Sequence, residues 1–225
     1  MAWGFVRYSS NDRTGFVTQI DAVERRMVAG LAVELMGLLK PAKPDKEPDP
    51  LAAELGLTDL ATDPVPTPDD EVLKRLLPAG YSSDESASQD FRNYTDRTLR
   101  EAKIADGALV LTALSRLRFD EPDDDLWNAW AEVSERGAAD IDLAAVAGEA
   151  GHEPVFVDAE DVDSWLRGLN DMRLALGVRL GLDNESSVEE LVNLADDDPQ
   201  AVQAALYDFL TWWQDSLLTA MLSKS

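Results

Sequence analysis

Four basic side chains recur along one predicted helix and form the best candidate in the sequence for phosphate binding. Arg92, Arg97, Arg100 and Lys103 fall within one arc of that helix. A basic helix face is a common electrostatic footprint of nucleic-acid-binding proteins. Asp96, however, lies four residues from both Arg92 and Arg100, a spacing that favours ion pairs within the helix. The face is therefore interpreted as solvated or internally paired, with contact to DNA, to a partner protein or to an acidic part of the chain as alternatives.

A second candidate is a buried ion pair between two helices. Arg173 falls within an otherwise apolar helical stripe. A guanidinium there carries a large desolvation cost unless a carboxylate and further hydrogen bonds meet it. Glu34 has a similar position on the first predicted helix. The pattern predicts a buried Glu34–Arg173 pair, with an anion-binding or partner-binding role for Arg173 as the alternative.

Catalytic and metal-binding chemistry receives little support. The only histidine, His152, lies in a turn-like Gly-His-Glu-Pro sequence, and no Gly-x-Ser-x-Gly nucleophile motif occurs. The Asp clusters at 123–125 and 196–198 lack the spacing of a calcium loop, so helix capping is the simpler interpretation. We therefore expect a non-enzymatic protein with no catalytic residue, no cofactor and no dedicated metal site.

Composition narrows the function classes further. The chain has 225 residues, with 44 acidic and 20 basic side chains and a formal net charge of -24, which disfavours nonspecific binding to DNA. It has no cysteine, so a disulfide, a thiolate zinc site and a thiol redox switch are excluded within it. No leader or membrane span is apparent, and a cytoplasmic location without a membrane partner is expected.

The sequence predicts a mainly α protein, a single helical-bundle domain over residues 1–225 with a small N-terminal β element. Two short strands precede a helix capped by Asp21, and a later strand precedes a helix capped by Asp158. The two strand-helix units are expected to pair. A Pro-rich linker is expected at about 40–70 and an acidic insert at about 119–157. The predicted elements are strands 3–8, 16–20 and 155–157 and helices 22–39, 69–77, 87–118, 159–180, 187–195 and 199 to the end.

Helical periodicity also predicts which faces are buried. On the first helix the stripe contains Val23, Met27, Leu31, Leu35 and Leu38. On the long helix the expected packing face, opposite the basic arc, contains Phe91, Tyr94, Thr98, Ala102, Ala105 and Leu109. On the last helix Trp213 is expected in the core, and the neighbouring Trp212 suggests a subunit contact in a homodimer.

Several segments resemble an actinobacterial protein family that includes the oxidative-stress regulator AosR. The segments are WLRGLNDMRLALG at 165–177 with Arg179-Leu180-Gly181, Arg75-Leu76-Leu77-Pro78 with Tyr81, residues 91–103, and YDFLTWWQ at 207–214. The resemblance implies a role in transcription during an oxidative-stress response, with a sigma factor or RNA polymerase as the partner. Because the chain lacks cysteine, a thiol-based sensor is not expected within it.

Two functions from different classes remain. The preferred interpretation is a regulatory protein that acts through protein–protein contacts, because an acidic surface suits a basic partner surface. The alternative is a direct DNA-binding transcriptional regulator that uses the face from Arg92 to Lys103. The absence of a compact helix-turn-helix pattern and the net negative charge both disfavour that alternative.

Overall fold

The fold is mainly helical, as predicted, with a small antiparallel sheet. The computed structural model of the protein describes residues 4–9, 13–41, 64–115, 152–182 and 198–223. The predicted helix at 187–195, residues 42–63 of the linker, residues 116–118 of the predicted long helix and residues 119–151 of the insert lie outside these segments. The elements within them are β1 (Val6–Ser9), β2 (Thr14–Asp21), α1 (Ala22–Leu39), α2 (Glu71–Leu76), α3 (Glu85–Ser115), β3 (His152–Asp158), α4 (Val162–Arg179) and α5 (Ala201–Leu222). That residues 1–225 form one domain stays a prediction.

The sheet joins the two strand-helix units of the sequence, as expected. Strand β2 lies in the middle and pairs antiparallel with β1 on one side and β3 on the other. The register places Val17 opposite both Val6 and Phe156. His152, expected in a turn, begins β3 opposite Asp21. Pro154 is tolerated in this strand because β3 is an edge strand of the sheet.

Of the two predicted Asp caps, Asp21 caps its helix and Asp158 does not. Asp21 caps α1, since its Oδ1 accepts hydrogen bonds from the backbone N–H groups of Val23 (2.9 Å) and Glu24 (2.8 Å). Asp158 does not cap α4. Its Oδ2 accepts a hydrogen bond from Arg13 Nη2 at 2.9 Å, and α4 begins three residues later than the sequence predicted.

The core lies between the sheet and the helices and contains an aromatic cluster. The Trp213 ring is fully buried, as predicted, and packs edge-on against Trp165 with ring centroids 5.6 Å apart. Phe5, just before β1, packs on the same ring at 5.2 Å. Trp213 Nε1 donates a hydrogen bond of 3.3 Å to Thr18 Oγ1 in β2. This cluster ties α4 and α5 to the sheet.

The buried face of α1 differs in phase from the predicted stripe. Val23 is exposed, whereas Leu31 and Leu35 of the predicted stripe are buried together with two small residues, Ala29 and Ala32. The full set of buried apolar residues is Val28, Ala29, Leu31, Ala32, Leu35, Met36 and Leu39. Small side chains let α3 approach α1 closely. At Gly107 of α3, a side-chain Cβ would lie only 3.1 Å from Met36 Cγ. The buried face of α1 therefore keeps Leu31 and Leu35 and also takes in the side on which Met36 meets α3.

Candidate functional site

The basic arc of α3 faces the protein interior over part of its length. Arg100 Nε donates a hydrogen bond of 2.7 Å to Asp96 Oδ2, the intrahelical partner that the spacing predicted. Arg100 Nη1 also donates to the Leu39 carbonyl at 3.1 Å, at the last residue of α1. Arg100 therefore links α3 to the C-terminal end of α1.

Lys103 makes an ion pair between α3 and α4 whose carboxylate is deeply buried. Its Nζ lies 2.8 Å and 2.9 Å from the two carboxylate oxygens of Asp171 on α4. The Asp171 side chain is only 6% exposed and that of Lys103 is 21% exposed. Burial raises the pKa of Asp171 above its ordinary value of 3.8, and the hydrogen bond from Lys103 opposes that rise.

A second ion pair between α3 and α4 lies at the edge of the contact between these two helices. Arg167 donates from Nε to Asp106 Oδ2 (2.8 Å) and from Nη2 to Asp106 Oδ1 (2.9 Å), a bidentate geometry. The Asp106 side chain is buried, whereas that of Arg167 is 60% exposed. The hydrogen bond to Asp106 raises the pKa of the Arg167 guanidinium.

Asp106, Asp171 and Arg167 were not predicted as site residues, although the sequence contains one signal for Asp171. One face of α4 carries small side chains and a single carboxylate at helical spacing: Gly168, Asp171 and Ala175. Such a face allows close approach of a second helix. At Gly168, a side-chain Cβ would lie 3.2 Å from the Asp106 carbonyl oxygen of α3. A carboxylate on that face of α4 must therefore contact the neighbouring helix.

The four predicted basic residues therefore do not share one outward face. Arg100 and Lys103 turn inward, and Arg92 is half-buried with Nη1 donating to Gln89 Oε1 at 3.2 Å. Arg97 points to solvent, where its Nε lies 2.8 Å from Glu101 Oε1. The face expected to pack is instead largely outward: Phe91, Tyr94, Thr98, Ala102 and Ala105 are exposed, and Tyr94 is 84% exposed. The sequence prediction inverted this part of α3.

The expected Glu34–Arg173 pair is also corrected by the structure. Glu34 Oε1 lies 2.7 Å from Arg179 Nη2 at the end of α4, and this bond raises the pKa of Arg179. Glu34 is exposed, so the pair is not a buried one. Arg173 Nη2 donates to Asn170 Oδ1 at 3.0 Å on the same helix.

Arg173 lines a cleft between α2, α4 and α5. The cleft has a volume of about 720 Å³, and its lining includes Lys74 and Arg75 of α2 and Tyr207 of α5. Lys74 is paired with Glu71, whose carboxylate lies 2.6 Å away and raises the pKa of that lysine. The cleft is a locally cationic region on a chain of strongly negative net charge.

The described segments contain neither a cluster of metal-ligating side chains nor a membrane-spanning helix. Those segments bring no three His, Cys, Asp or Glu side chains together as metal ligands. Within the same residues, no helix has both the length and the apolar character needed to cross a bilayer.

Comparison with known proteins places the chain in a family. A family model described as a domain of unknown function, DUF2017, matches residues 6–221, and the chain belongs to this family. It is 25% identical over 218 residues to the oxidative stress regulator AosR of Mycobacterium bovis and of Mycobacterium tuberculosis. Each alignment covers 97% of this chain and 87% of the relative. The predicted family resemblance is confirmed, and no solved structure matches the chain.

Proposed function

We propose that this protein is a non-enzymatic regulator of an oxidative-stress response and acts by binding other proteins. The relatives of this chain are named oxidative stress regulators and align over almost the whole of it. A shared fold alone does not transfer a function. The choice between protein binding and DNA binding therefore rests on the chain's own surface.

The main support for protein binding is that the basic residues of α3 are already paired with carboxylates of the same chain. A DNA-binding helix presents several cations together to the phosphate backbone. Here Lys103 and Arg100 contact carboxylates between and along the helices, and Arg97 is paired with Glu101 on the surface. The helix that the alternative function requires would have to break these contacts before it could bind DNA. Protein contacts require no such change.

The lack of cysteine bears on how an oxidant would act. Thiolates are the side chains that oxidants modify most readily for signalling, and this chain has none. Met36 and Met172 are almost fully buried in the core, where oxidation would damage packing rather than report a signal. We therefore place the oxidant-sensitive step in a partner, and this protein transmits or limits the partner's activity.

A component of the transcription machinery, a sigma factor or RNA polymerase, is the partner that this proposal names. Sigma factors and polymerase expose basic surfaces toward DNA, and a chain of net charge -24 is electrostatically suited to such a surface. Association of this kind is steered by charge, so its rate falls as salt rises.

The decisive experiment compares protein and duplex DNA as ligands of the purified full chain. We expect binding to RNA polymerase or to a sigma factor of the same organism in a direct titration, with affinity falling between about 50 mM and about 200 mM salt. We expect no duplex binding at the lower salt concentration. Duplex affinity that falls steeply with salt, and that Arg97→Glu weakens further, would replace this proposal with direct DNA binding. Failure to bind any transcription component would remove the named partner.

A further inference from the structure

We infer that the outward face of α3 is the interface of a homodimer in which two copies pack their α3 helices antiparallel about Thr98. The residues of this face recur at helical spacing and are here called the outer stripe: Ala87, Phe91, Tyr94, Thr98, Ala102, Ala105 and Leu109. The five central residues are exposed, and the two end residues are half-buried. Tyr94 is 84% exposed, and Phe91, which packs edge-on against Tyr81 at a centroid distance of 6.4 Å, is still 37% exposed, so the stripe presents aromatic surface to solvent.

The outer stripe is symmetric in position about Thr98. From its first to its last residue the successive steps are 4, 3, 4, 4, 3 and 4 residues, and the series reads the same in both directions. A two-fold axis at Thr98 would therefore place each stripe residue opposite another stripe residue of the second copy. Tyr94 would meet Ala102, Phe91 would meet Ala105, and Leu109 would meet Ala87.

The same pairs are complementary in size. Each combines one large side chain with one alanine, so every aromatic or leucine side chain finds space on the facing helix. An interface formed by a two-fold axis must be complementary to itself, because the same patch supplies both sides. The outer stripe meets this condition, whereas a basic partner of unrelated sequence would not require it. Because the stripe is complementary to itself, we take its partner to be a second copy of the chain.

Charge at the margin of the stripe is also self-complementary. Arg97 and Glu101 lie on the same flank, 65% and 62% exposed, and they pair with each other at 2.8 Å. In an antiparallel two-fold pair, this flank of one helix meets the same flank of the other. Arg97 of one copy and Glu101 of the second copy would then be offset by two residues, about 3 Å along the axis. Two symmetric ion pairs can form between the copies.

The size of the stripe predicts a weak dimer with an unusual salt dependence. It spans 22 helical steps, about 33 Å, and with a helix width of about 10 Å it covers on the order of 350 Å² per copy. Stable interfaces bury roughly 800 Å² per partner, so the dimer should be dynamic. Two copies of charge -24 repel each other, and salt screens that repulsion. Self-association should therefore increase with salt, opposite to the trend expected for a basic partner.

The first test measures association by sedimentation at about 1–200 μM protein in about 50 mM and about 500 mM salt. We expect a reversible dimer that is stronger at the higher salt concentration. Ala102→Arg fills the space for Tyr94 and should weaken the dimer at least about tenfold. Ala205→Arg, the same change at an exposed alanine of α5, should leave it unchanged. Monomers throughout, or equal effects of the two variants, would refute the interface.

The second test uses the absence of native cysteine. Thr98→Cys places one thiol on the proposed axis, so mild oxidation should give a covalent dimer in which the two Cβ atoms can approach to roughly 4 Å. Ala205→Cys serves as the matched control and should cross-link much more slowly. Exchange of sizes within the stripe, Tyr94→Ala with Ala102→Tyr, should restore association that either single change weakens. Equal cross-linking of the two Cys variants, or no restoration, would overturn the proposal while leaving binding to transcription proteins untouched.

Discussion

The two sides of α3 differ in a way that hydrophobicity alone does not predict. The side toward α1 and α4 carries Asp96, Arg100, Lys103 and Asp106, and each of these side chains has an oppositely charged partner within 3 Å. The side toward solvent carries Phe91 and Tyr94. The buried side of a helix thus depends on the partners that the neighbouring helices supply, and not only on the apolar residues of the helix itself.

The inward charges fix how the helices meet. An apolar contact between α3 and α4 tolerates sliding or rotation, because burial of apolar area has no preferred direction. Lys103 can reach Asp171, and Asp106 can reach Arg167, only in one register of the two helices. Buried pairs are weak evidence for high stability, and their better-supported use is specificity of packing. We assign that use to these two pairs.

The largest expected effect comes from removal of one partner of the inward set. Lys103→Ala leaves the Asp171 carboxylate buried without its cation, and a broken buried pair costs about 3–5 kcal/mol. We expect the free energy of unfolding, measured by urea denaturation with an unchanged m-value, to fall by about 3 kcal/mol, since Lys103 is itself partly exposed.

The double variant Lys103→Met with Asp171→Leu is the control for that measurement. It removes both charges and keeps similar volume, so it should be clearly more stable than Lys103→Ala. A single variant that costs less than about 0.5 kcal/mol would show that the inward side is energetically no different from the surface.

Local signals were sufficient for much of the fold. The strand and cap ahead of α1 and the burial of Trp213 follow from side-chain types close together in sequence, and they were predicted correctly. The pairing of β2 with β3 is long-range, and it was expected because the two strand-helix units have the same pattern. The predicted helix 159–180 ends within one residue of the observed end of α4, and Gly181 follows it with a φ of 70°. Its N–H and that of Leu182 bond to the Val178 and Gly177 carbonyls, as in a Schellman motif.

The sites depended on information that periodicity does not contain. The orientation of α3 depends on Asp171 and Arg167, which lie 68 and 61 residues from their partners in the chain. Glu34 had two arginines of α4 as possible partners, and the choice of Arg179 over Arg173 depends on how α1 and α4 lie against each other. Helical spacing assigns residues to a face, whereas the position of the facing helix decides which face is inside.

Titration of Asp171 should change the stability of the inward side of α3 by an intermediate amount. Its pKa is raised by burial in the folded protein, so the folded state binds more protons than the unfolded state between pH 3.8 and the raised pKa. The contribution of this group to stability is therefore greatest at low pH and falls as the pH rises through that interval. Asp171→Asn cannot titrate at this position.

The measurement is the difference in unfolding free energy between wild type and Asp171→Asn at several pH values from about 3.5 to 7. This difference should shift in favour of the variant as the pH rises, and then become constant. A shift in the opposite direction would mean that Lys103 outweighs burial and lowers the pKa of Asp171.

The smallest effect is expected from the exposed pair on the outward side. Arg97→Ala removes the cation that pairs with Glu101, but both side chains are more than half exposed and water replaces the contact. Exposed pairs at this spacing contribute about 0.3–0.5 kcal/mol, and alanine has the better helix propensity, so the net change should lie within about 0.5 kcal/mol. Urea denaturation at low micromolar concentration, where the proposed dimer is dissociated, measures it. A loss of unfolding free energy as large as that of Lys103→Ala would contradict the energetic difference between the two sides of α3. It would mean that another contact within the monomer shields the outward pair from water.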